Sequence, residues 1–181
     1  MTVWRSLTCI TGLFFSATLY AADDSLPFAE TDGCMEGPLA QFGRYIGDWK
    51  IEDSRRSQDG SWGPGQGARW VFSCLGNGTA IQDFWYPATG NIGTNLRTYK
   101  PETGTWEIAW AIKTVPGFAH IRAEQNESGN IVMHYVAPLP SPLRRITFFP
   151  PDEAGWNWKL EISQDEGESW IEVYRIRATP Y

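Results

Sequence analysis

Four side chains that can move protons lie in the middle of this chain: Asp83, Tyr99, Glu107 and His120. A carboxylate, an imidazole and a phenol are common groups in acid–base catalysis, but the spacing of these residues alone selects no pair. The chain has no Gly-x-Ser-x-Gly motif, so that signature of a serine nucleophile is absent. The sequence therefore leaves catalysis open and identifies no catalytic residue.

The two histidines, His120 and His134, lie in consecutive apolar runs that we predict to be neighbouring strands. A cross-strand pair would bring the two rings within a few ångströms of each other. A metal site would also need a third ligand, for which Glu124, Asp83 and Tyr135 are the options. We expect ordinary hydrogen-bonded histidines instead, and therefore no metal and no cofactor.

The first residues predict a cleavable secretory signal. Arg5 supplies a positive start, residues 10–19 form an apolar stretch, and Ala21 is a small residue suited to the cleavage site. The apolar stretch is too short for a membrane span, which needs about 20 residues, so a retained anchor is the less favoured alternative. We expect a signal peptide over 1–21, a polar leader over 22–36 and one domain over 37–181. The mature protein would be periplasmic or secreted, with no stable membrane span.

The charge of the chain argues against nucleic acid as a partner. The formal net charge is -6, and removal of the signal would also remove Arg5. A phosphate-binding surface needs clustered lysines and arginines. The basic pairs Arg55-Arg56 and Arg144-Arg145 are too short to form one.

Two cysteines, Cys34 and Cys74, would remain after removal of the signal, which contains Cys9. An even number of cysteines in an oxidising compartment favours a disulfide. No Cys-x-x-Cys spacing supports a reactive thiol pair. We therefore predict a structural disulfide that ties the N-terminal segment to the rest of the domain.

From Trp49 onward the chain is a series of aromatic and β-branched runs separated by Gly, Pro, Asn and Asp. We predict ten strands, at about 49–55, 69–75, 79–87, 95–101, 105–113, 118–125, 130–138, 143–149, 155–163 and 169–178. A short helix precedes them, with Pro38 suited to its first turn. Short links between strands force antiparallel neighbours, and closure into a barrel removes the two exposed edges. The prediction is an all-β, up-and-down barrel of about ten strands.

Alternation along the predicted strands indicates that one face is buried. Trp106, Ile108, Trp110 and Ile112 share one face, and Trp156, Trp158, Leu160 and Ile162 repeat the pattern. A barrel of more than eight strands has room inside for more than side chains. This spare interior links the predicted fold to ligand binding.

The sequence has 10 tryptophans, and only Trp4 lies within the expected signal. Indole rings in an exported β domain can stack on sugar rings, but they can equally fill the barrel interior, which is the interpretation that we favour. Trp62 is the exception, because it lies in the polar loop Ser61-Trp62-Gly63-Pro64-Gly65. We predict that it lies at the barrel mouth or on a partner surface.

The tripeptide Gly47-Asp48-Trp49, after the short helix and at the start of the first strand, resembles the Gly-x-Trp signature of lipocalins and the wider calycin superfamily. The resemblance implies that Trp49 plugs the closed barrel end and that a basic residue of the last strand, Arg175 or Arg177, covers it. The stretch from Gly43 to Tyr99, with Trp70-Val-Phe, Asp83-Phe-Trp and Arg97-Thr-Tyr, also resembles an uncharacterised bacterial family of secreted lipocalin-like proteins. That family implies no activity.

The segment Ser163-Gln-Asp165-Glu-Gly167-Glu-Ser169-Trp170 matches the Asp-box pattern of secreted β proteins. Its physics is that of a hairpin, in which Asp165 caps the turn, Gly167 takes the left-handed conformation and Trp170 packs back over the loop. A single copy without propeller spacing predicts a structural role and no sialidase chemistry.

These observations favour an exported binding protein that holds a small apolar or amphipathic molecule inside the barrel, oriented by a few polar groups. The alternatives are an enzyme that uses the same cavity, such as an isomerase, cyclase or hydrolase, or a carbohydrate-binding module that uses surface tryptophans. The candidate ligand-binding residues are Trp70, Asp83, Trp85, Arg97, Tyr99, Trp110, His120 and Trp158. The candidate structural residues are Gly47, Trp49, Arg175, Cys34, Cys74, Asp165, Gly167 and Trp170.

Overall fold

A computed structural model describes residues 31–181 of the chain. The expected signal peptide and residues 22–30 of the expected leader lie outside the described residues. The described part begins with two 3-10 helices, Asp32–Cys34 and Gly37–Leu39, and the short helix α1, Ala40–Gly43. No helix among these residues is long and apolar enough to cross a membrane.

Eleven strands follow the helix. They are β1 (Gly47–Arg56), β2 (Trp62–Pro64), β3 (Ala68–Leu75), β4 (Ala80–Pro87), β5 (Gly93–Lys100), β6 (Thr105–Ile112), β7 (Val115–Gln125), β8 (Ile131–Ala137), β9 (Leu143–Phe148), β10 (Trp156–Ser163) and β11 (Ile171–Pro180). The ten predicted runs correspond to all of them except β2. This short strand contains Trp62, for which the sequence predicts a loop.

The strands form a closed antiparallel barrel. Successive strands pair with each other from β3 to β11, and β1 completes the ring by pairing with both β3 and β11. Trp49 shows the closure, because it lies opposite Trp70 on one side and Pro180 on the other. The outer strand β2 pairs only with the end of β1, around Arg55. The predicted ten-stranded barrel is therefore confirmed, with one additional strand outside the ring.

One end of the barrel is closed by aromatic side chains. Phe42 and Tyr45 from the α1 segment pack against Trp106, Phe148 and Trp156, with ring centroids 4.9–5.6 Å apart. All five side chains are buried. The burial of Tyr45 raises the pKa of its phenol to about 12, and its hydroxyl donates to the backbone oxygen of Phe149. The short helix thus supplies the floor of the barrel.

The predicted disulfide between Cys34 and Cys74 is present, with a Cα–Cα distance of 5.9 Å. Cys34 belongs to the expected polar leader, and its side chain is fully buried. The bond joins the first 3-10 helix to β3 at the closed end of the barrel. The domain core therefore includes residues that precede the predicted start at 37.

Trp49 lies at the closed end, but the predicted arginine does not cover it. Its indole N–H donates to the backbone oxygen of Tyr45 at 2.8 Å, and its ring packs edge-on against Trp156. Arg175 is paired with Ser54, nearer the open end, and its guanidinium lies 3.6 Å from the centre of the Trp62 ring. The expectation for Arg175 was therefore wrong, because the register places it too far along β11.

Arg177 does not cover Trp49 either. It lies opposite Glu52 in the barrel register, and its Nη2 atom is 3.4 Å from Asp152.

Candidate functional site

A cavity of about 350 Å³ occupies the barrel interior above the aromatic floor. Such a volume lies within the range of small-molecule sites, roughly 300–1,000 Å³. The cavity is lined mainly by apolar and aromatic side chains from eight strands: Trp70, Trp85, Trp110, Ile112, Ile121, Met133, Tyr135, Ile146, Phe148, Trp158, Leu160, Tyr174 and Ile176. Four polar residues complete the lining: Arg55, Asn95, Arg97 and Arg144.

Strand alternation explains why these side chains meet. Asn95 and Arg97 are two positions apart on β5, and Trp156, Trp158 and Leu160 follow the same rule on β10. A register shift after Leu160 then breaks the alternation, so that Glu161 is buried and Ile162 is only half-buried. Ile162 therefore does not continue the predicted inward row.

A glycine makes room for one of the cavity rings. Gly93, at the start of β5, lies opposite Ile112 of β6. A Cβ atom at this position would come within 2.3 Å of the Trp110 ring. The absence of a side chain at Gly93 therefore allows the Trp110 indole to lie along the cavity wall.

An ion pair lies at the inner end of the cavity. Arg97 Nη2 is 2.5 Å from Asp83 Oδ2, and both side chains are completely buried. Asn95 holds the same carboxylate by donating from its backbone N–H (3.2 Å) and from its side-chain amide (3.1 Å to each oxygen). Burial lowers the pKa of Arg97, and the charge of Asp83 opposes that effect. The pair neutralises both charges inside the barrel.

The guanidinium of Arg97 also lies against the aromatic floor. Its Cζ atom is 4.8 Å from the ring centre of Phe42 and 5.2 Å from that of Phe72. Cation–π contacts of this kind stabilise by about 0.5–2 kcal/mol. The floor and the ion pair together fix the position of Arg97.

Several buried donors of the cavity lining have no acceptor among residues 31–181. They are Nε and Nη1 of Arg97 and the indole nitrogens of Trp70 and Trp158. The contact of Arg97 Nη2 with Asp83 is a close ion pair whose alignment does not meet hydrogen-bond geometry. An unsatisfied buried donor costs about 1–3 kcal/mol.

The mouth of the cavity carries two further arginines, Arg55 and Arg144. Arg55 lies over the Tyr174 ring, with Cζ 4.3 Å from the ring centre. Tyr174 in turn donates to Asp53 Oδ2 at 2.8 Å, and burial followed by this carboxylate raises the pKa of its phenol. Arg55 and Arg144 therefore give the entrance a cationic character, and no carboxylate is among the described residues that line the cavity.

A second hollow, of about 460 Å³, adjoins the mouth and shares Trp110, Ile112, Tyr135 and Arg144 with the cavity. Its outer part is formed by Thr114, the first residues of β7 and the β8–β9 connection. Phe118 and Leu139 lie there with about two thirds of their surface exposed, at 68% and 67%. The path from solvent into the barrel is therefore apolar on this side.

The structure brings together most of the candidate ligand-binding residues. Trp70, Trp85, Arg97, Trp110 and Trp158 all line the cavity.

The three remaining candidates lie outside the lining. Asp83 is paired with Arg97 but is not itself among the lining residues, and Tyr99 packs against Trp106, 5.4 Å away between ring centroids. His120 lies on the outer face, in contact with the carboxylate of Glu107. The apolar residue next to it, Ile121, takes the inward position.

The two histidines do not meet. His134 is paired with Arg122 in the barrel register and its ring packs 6.2 Å from that of Trp170. Burial and then Arg145 lower the pKa of His134. Among residues 31–181 no group of three His, Cys, Asp or Glu side chains has the arrangement of a metal site.

Glu107, between His120 and Arg122, forms an outward-facing charged cluster. Burial acts to raise the pKa of this carboxyl, but hydrogen bonds from His120 and Arg122 outweigh it and the pKa is lowered. The cluster is separated from the cavity by the barrel wall, so two of the sequence's acid–base candidates lie outside the interior.

Sequence reasoning missed Asn95, although it precedes Arg97 by two positions and so shares its face. It also missed Tyr174 and the arginines of the mouth, whose inward direction depends on register.

The Asp-box segment forms the β10–β11 hairpin at the open end. Asp165 accepts hydrogen bonds from the backbone N–H of Ser169 (2.9 Å) and from the hydroxyls of Ser163 and Ser169. These bonds, led by that of the Ser169 hydroxyl, lower the pKa of Asp165 to about 2. Gly167 has a φ of +99°, and the Trp170 indole donates to its carbonyl oxygen at 3.1 Å.

A closed antiparallel barrel with a filled floor and an open interior cavity defines a lipocalin-like fold. Two solved structures share it: the S-type phycobiliprotein lyase CPES of Guillardia theta (TM-score 0.56, 10% identity, 86% of this chain and 98% of that chain) and Rv2717c of M. tuberculosis (TM-score 0.54, 13% identity, 81% and 98%). No protein-family model and no curated protein matches the sequence. At these identities the likeness shows the fold alone.

Proposed function

We propose that this chain is an exported binding protein that holds a small, mostly apolar molecule in the barrel cavity. The observation that carries the proposal is the cavity itself, about 350 Å³ of interior lined by four tryptophans and a set of aliphatic side chains. Burial of apolar surface contributes about 25 cal/mol per Å², so an apolar guest gains most of its affinity from such walls.

The chemistry of the lining favours binding over catalysis. Among the described residues, the cavity lining contains no histidine, carboxylate, cysteine or serine. Asp83 is fully engaged by Arg97 and Asn95, and His120 faces away from the interior. The name of the similar Guillardia theta protein, a phycobiliprotein lyase, shows that this fold also occurs in a protein named as an enzyme. A catalytic role here would have to rely on the tyrosines and arginines of the lining.

A sugar-binding role through surface tryptophans receives less support. Each tryptophan between residues 31 and 181 is buried or half-buried. Trp62, which was the best candidate for an exposed platform, lies beneath the guanidinium of Arg175. A stacking platform needs an open ring face, which this contact covers.

The proposal of export rests on the N-terminal sequence and on the Cys34–Cys74 disulfide. Disulfides persist mainly in oxidising compartments such as the periplasm. Expression of the full chain in a bacterial host tests this: we expect the protein in the periplasm, with Ala22 as its first residue. Recovery from the cytoplasm with residues 1–21 intact would contradict export.

Binding is tested by titration with diphenylhexatriene, a hydrocarbon dye that fluoresces in apolar surroundings. We expect saturable binding with one dye per protein and energy transfer from the cavity tryptophans. Gly93→Val should weaken it at least about tenfold, because the new side chain pushes the Trp110 ring into the cavity.

The matched control is Gly63→Val on the outer strand β2, where an added Cβ meets nothing within 4 Å. This variant should bind the dye like the wild type. Equal loss in both variants, or no saturable binding by the wild type, would overturn the proposed function.

A further inference from the structure

The hydrogen-bonding capacity at the inner end of the cavity is one-sided. Arg97, Trp70 and Trp158 are each more than nine-tenths buried and line the same cavity. Their free groups, Nε and Nη1 of the guanidinium and the two indole nitrogens, have no acceptor within residues 31–181. A guanidinium and an indole can only donate, so the site presents donors and lacks their partners.

The three residues surround one aromatic ring. The ring centre of Phe148 is 6.0 Å from Arg97 Cζ, 5.6 Å from the ring of Trp70 and 6.4 Å from that of Trp158. Trp156 also has an indole nitrogen without an acceptor, but it belongs to the floor and does not line the cavity. An unpartnered indole is therefore not a site by itself. Trp156 also packs against Phe148, at 5.5 Å, so what distinguishes this place is that three such residues line the cavity together.

The charge at the inner end decides which acceptor fits. Asp83 already neutralises Arg97, at 2.5 Å, and Asn95 donates to both oxygens of the same carboxylate. A ligand carboxylate at this depth would place a second buried anion beside Asp83 without a second cation. Burial of an unpaired charge is far more costly than burial of a neutral polar group. An ammonium group would bring more donors and no acceptor.

We propose that the molecule held in this barrel carries a neutral carbonyl oxygen, as in a ketone, quinone or ester, which accepts hydrogen bonds from Arg97, Trp70 and Trp158. This inference rests on the proposed function, since it names the chemistry of the bound molecule. The carbonyl end lies above Phe148, and the apolar remainder extends past Trp85 and Trp110 towards the mouth.

The first test compares three ligands of equal carbon number as competitors of bound diphenylhexatriene: methyl octyl ketone, decanoate and decylamine. We expect the ketone to displace the dye at concentrations at least about tenfold lower than either charged ligand. Decanoate that competes as well as the ketone, or better, would overturn the inference while the binding function stands. Failure of the ketone to compete for a dye that binds would do the same.

The second test reads the hydrogen bond directly. The infrared stretch of a carbon-13-labelled ketone carbonyl should move to lower frequency in the wild-type complex than in hexane. In Trp70→Phe/Trp158→Phe, which keeps an aromatic ring at both positions, the shift should be smaller. The control Trp62→Phe removes an indole from the outer strand β2, outside the cavity lining, and should leave the shift as in the wild type.

The two proposals fail in different ways. A hexane-like carbonyl frequency in the wild-type complex would overturn the carbonyl inference, and this measurement does not depend on whether the double variant folds. Absence of saturable dye binding by the wild type would overturn the proposed function itself.

Discussion

The buried ion pair of Asp83 and Arg97 allows a sharp prediction about stability. In Asp83→Leu, Arg97 keeps its charge at a position with 0% exposure and loses its only close anion among residues 31–181. Removal of one partner of a buried pair costs about 3–5 kcal/mol, because an uncompensated charge remains. Asn95 also loses its acceptors, which adds about 1–3 kcal/mol. The single variant should therefore lose a large part of its free energy of unfolding, which for a domain is typically about 5–15 kcal/mol.

The double variant Asp83→Leu/Arg97→Met removes both charges and replaces them with apolar side chains of related size. We expect it to be more stable than Asp83→Leu by at least about 2 kcal/mol, since such replacements are often close to neutral. Urea unfolding, followed by tryptophan fluorescence with the disulfide intact, measures the stability of the wild type, Asp83→Leu, Arg97→Met and the double variant. Losses from the two single variants that add up to that of the double, within about 0.5 kcal/mol, would refute the reasoning.

Three further predictions concern other parts of the barrel. Cys34→Ser/Cys74→Ser should lower the free energy of unfolding by about 4 kcal/mol in urea, because the bond spans 40 residues. Thiol labelling of the unfolded, unreduced mature protein, which lacks Cys9, should find no free cysteine. The Asp165 carboxyl should titrate by NMR with a pKa of about 2, so the stability that its ionised form gives the fold is complete above the ordinary pKa of 3.8 and is lost as the pH falls towards 2. Ser169→Ala should raise the titration midpoint of Asp165. An unchanged midpoint would contradict the hydrogen-bond assignment. Arg175→Ala should increase the solvent accessibility of Trp62. Acrylamide quenching of tryptophan fluorescence should therefore be stronger in this variant than in the wild type, above the background from the other half-buried tryptophans. Unchanged quenching would contradict the stacking.

The barrel was predictable because its signals are local. Short turns between alternating runs force antiparallel neighbours, and a sheet of ten such strands closes to remove its edges. The strand β2 was missed because its three residues, Trp62-Gly63-Pro64, include two types that are depleted in strands. It is held by the end of β1, which is a tertiary contact.

The site was predictable only in part, for reasons of register. The inward positions of Trp70, Arg97 and Trp158 follow from alternation, whereas the register shift after Leu160 leaves no mark in the sequence. The partner of Arg175 depends on how far β11 is displaced along β1, and the Gly-x-Trp resemblance does not contain that information. The assignment of His120 to the cavity could have been avoided, because the apolar Ile121 beside it indicates which of the two side chains faces inward.

A crystal structure of the protein with diphenylhexatriene bound would test the central claim most directly. The account predicts density for one dye inside the barrel, above Phe148 and beside the rings of Trp70 and Trp158, with the Asp83–Arg97 pair unchanged beneath it. Density confined to the outer hollow beside Phe118 and Leu139, with the barrel interior filled by rearranged side chains, would contradict it.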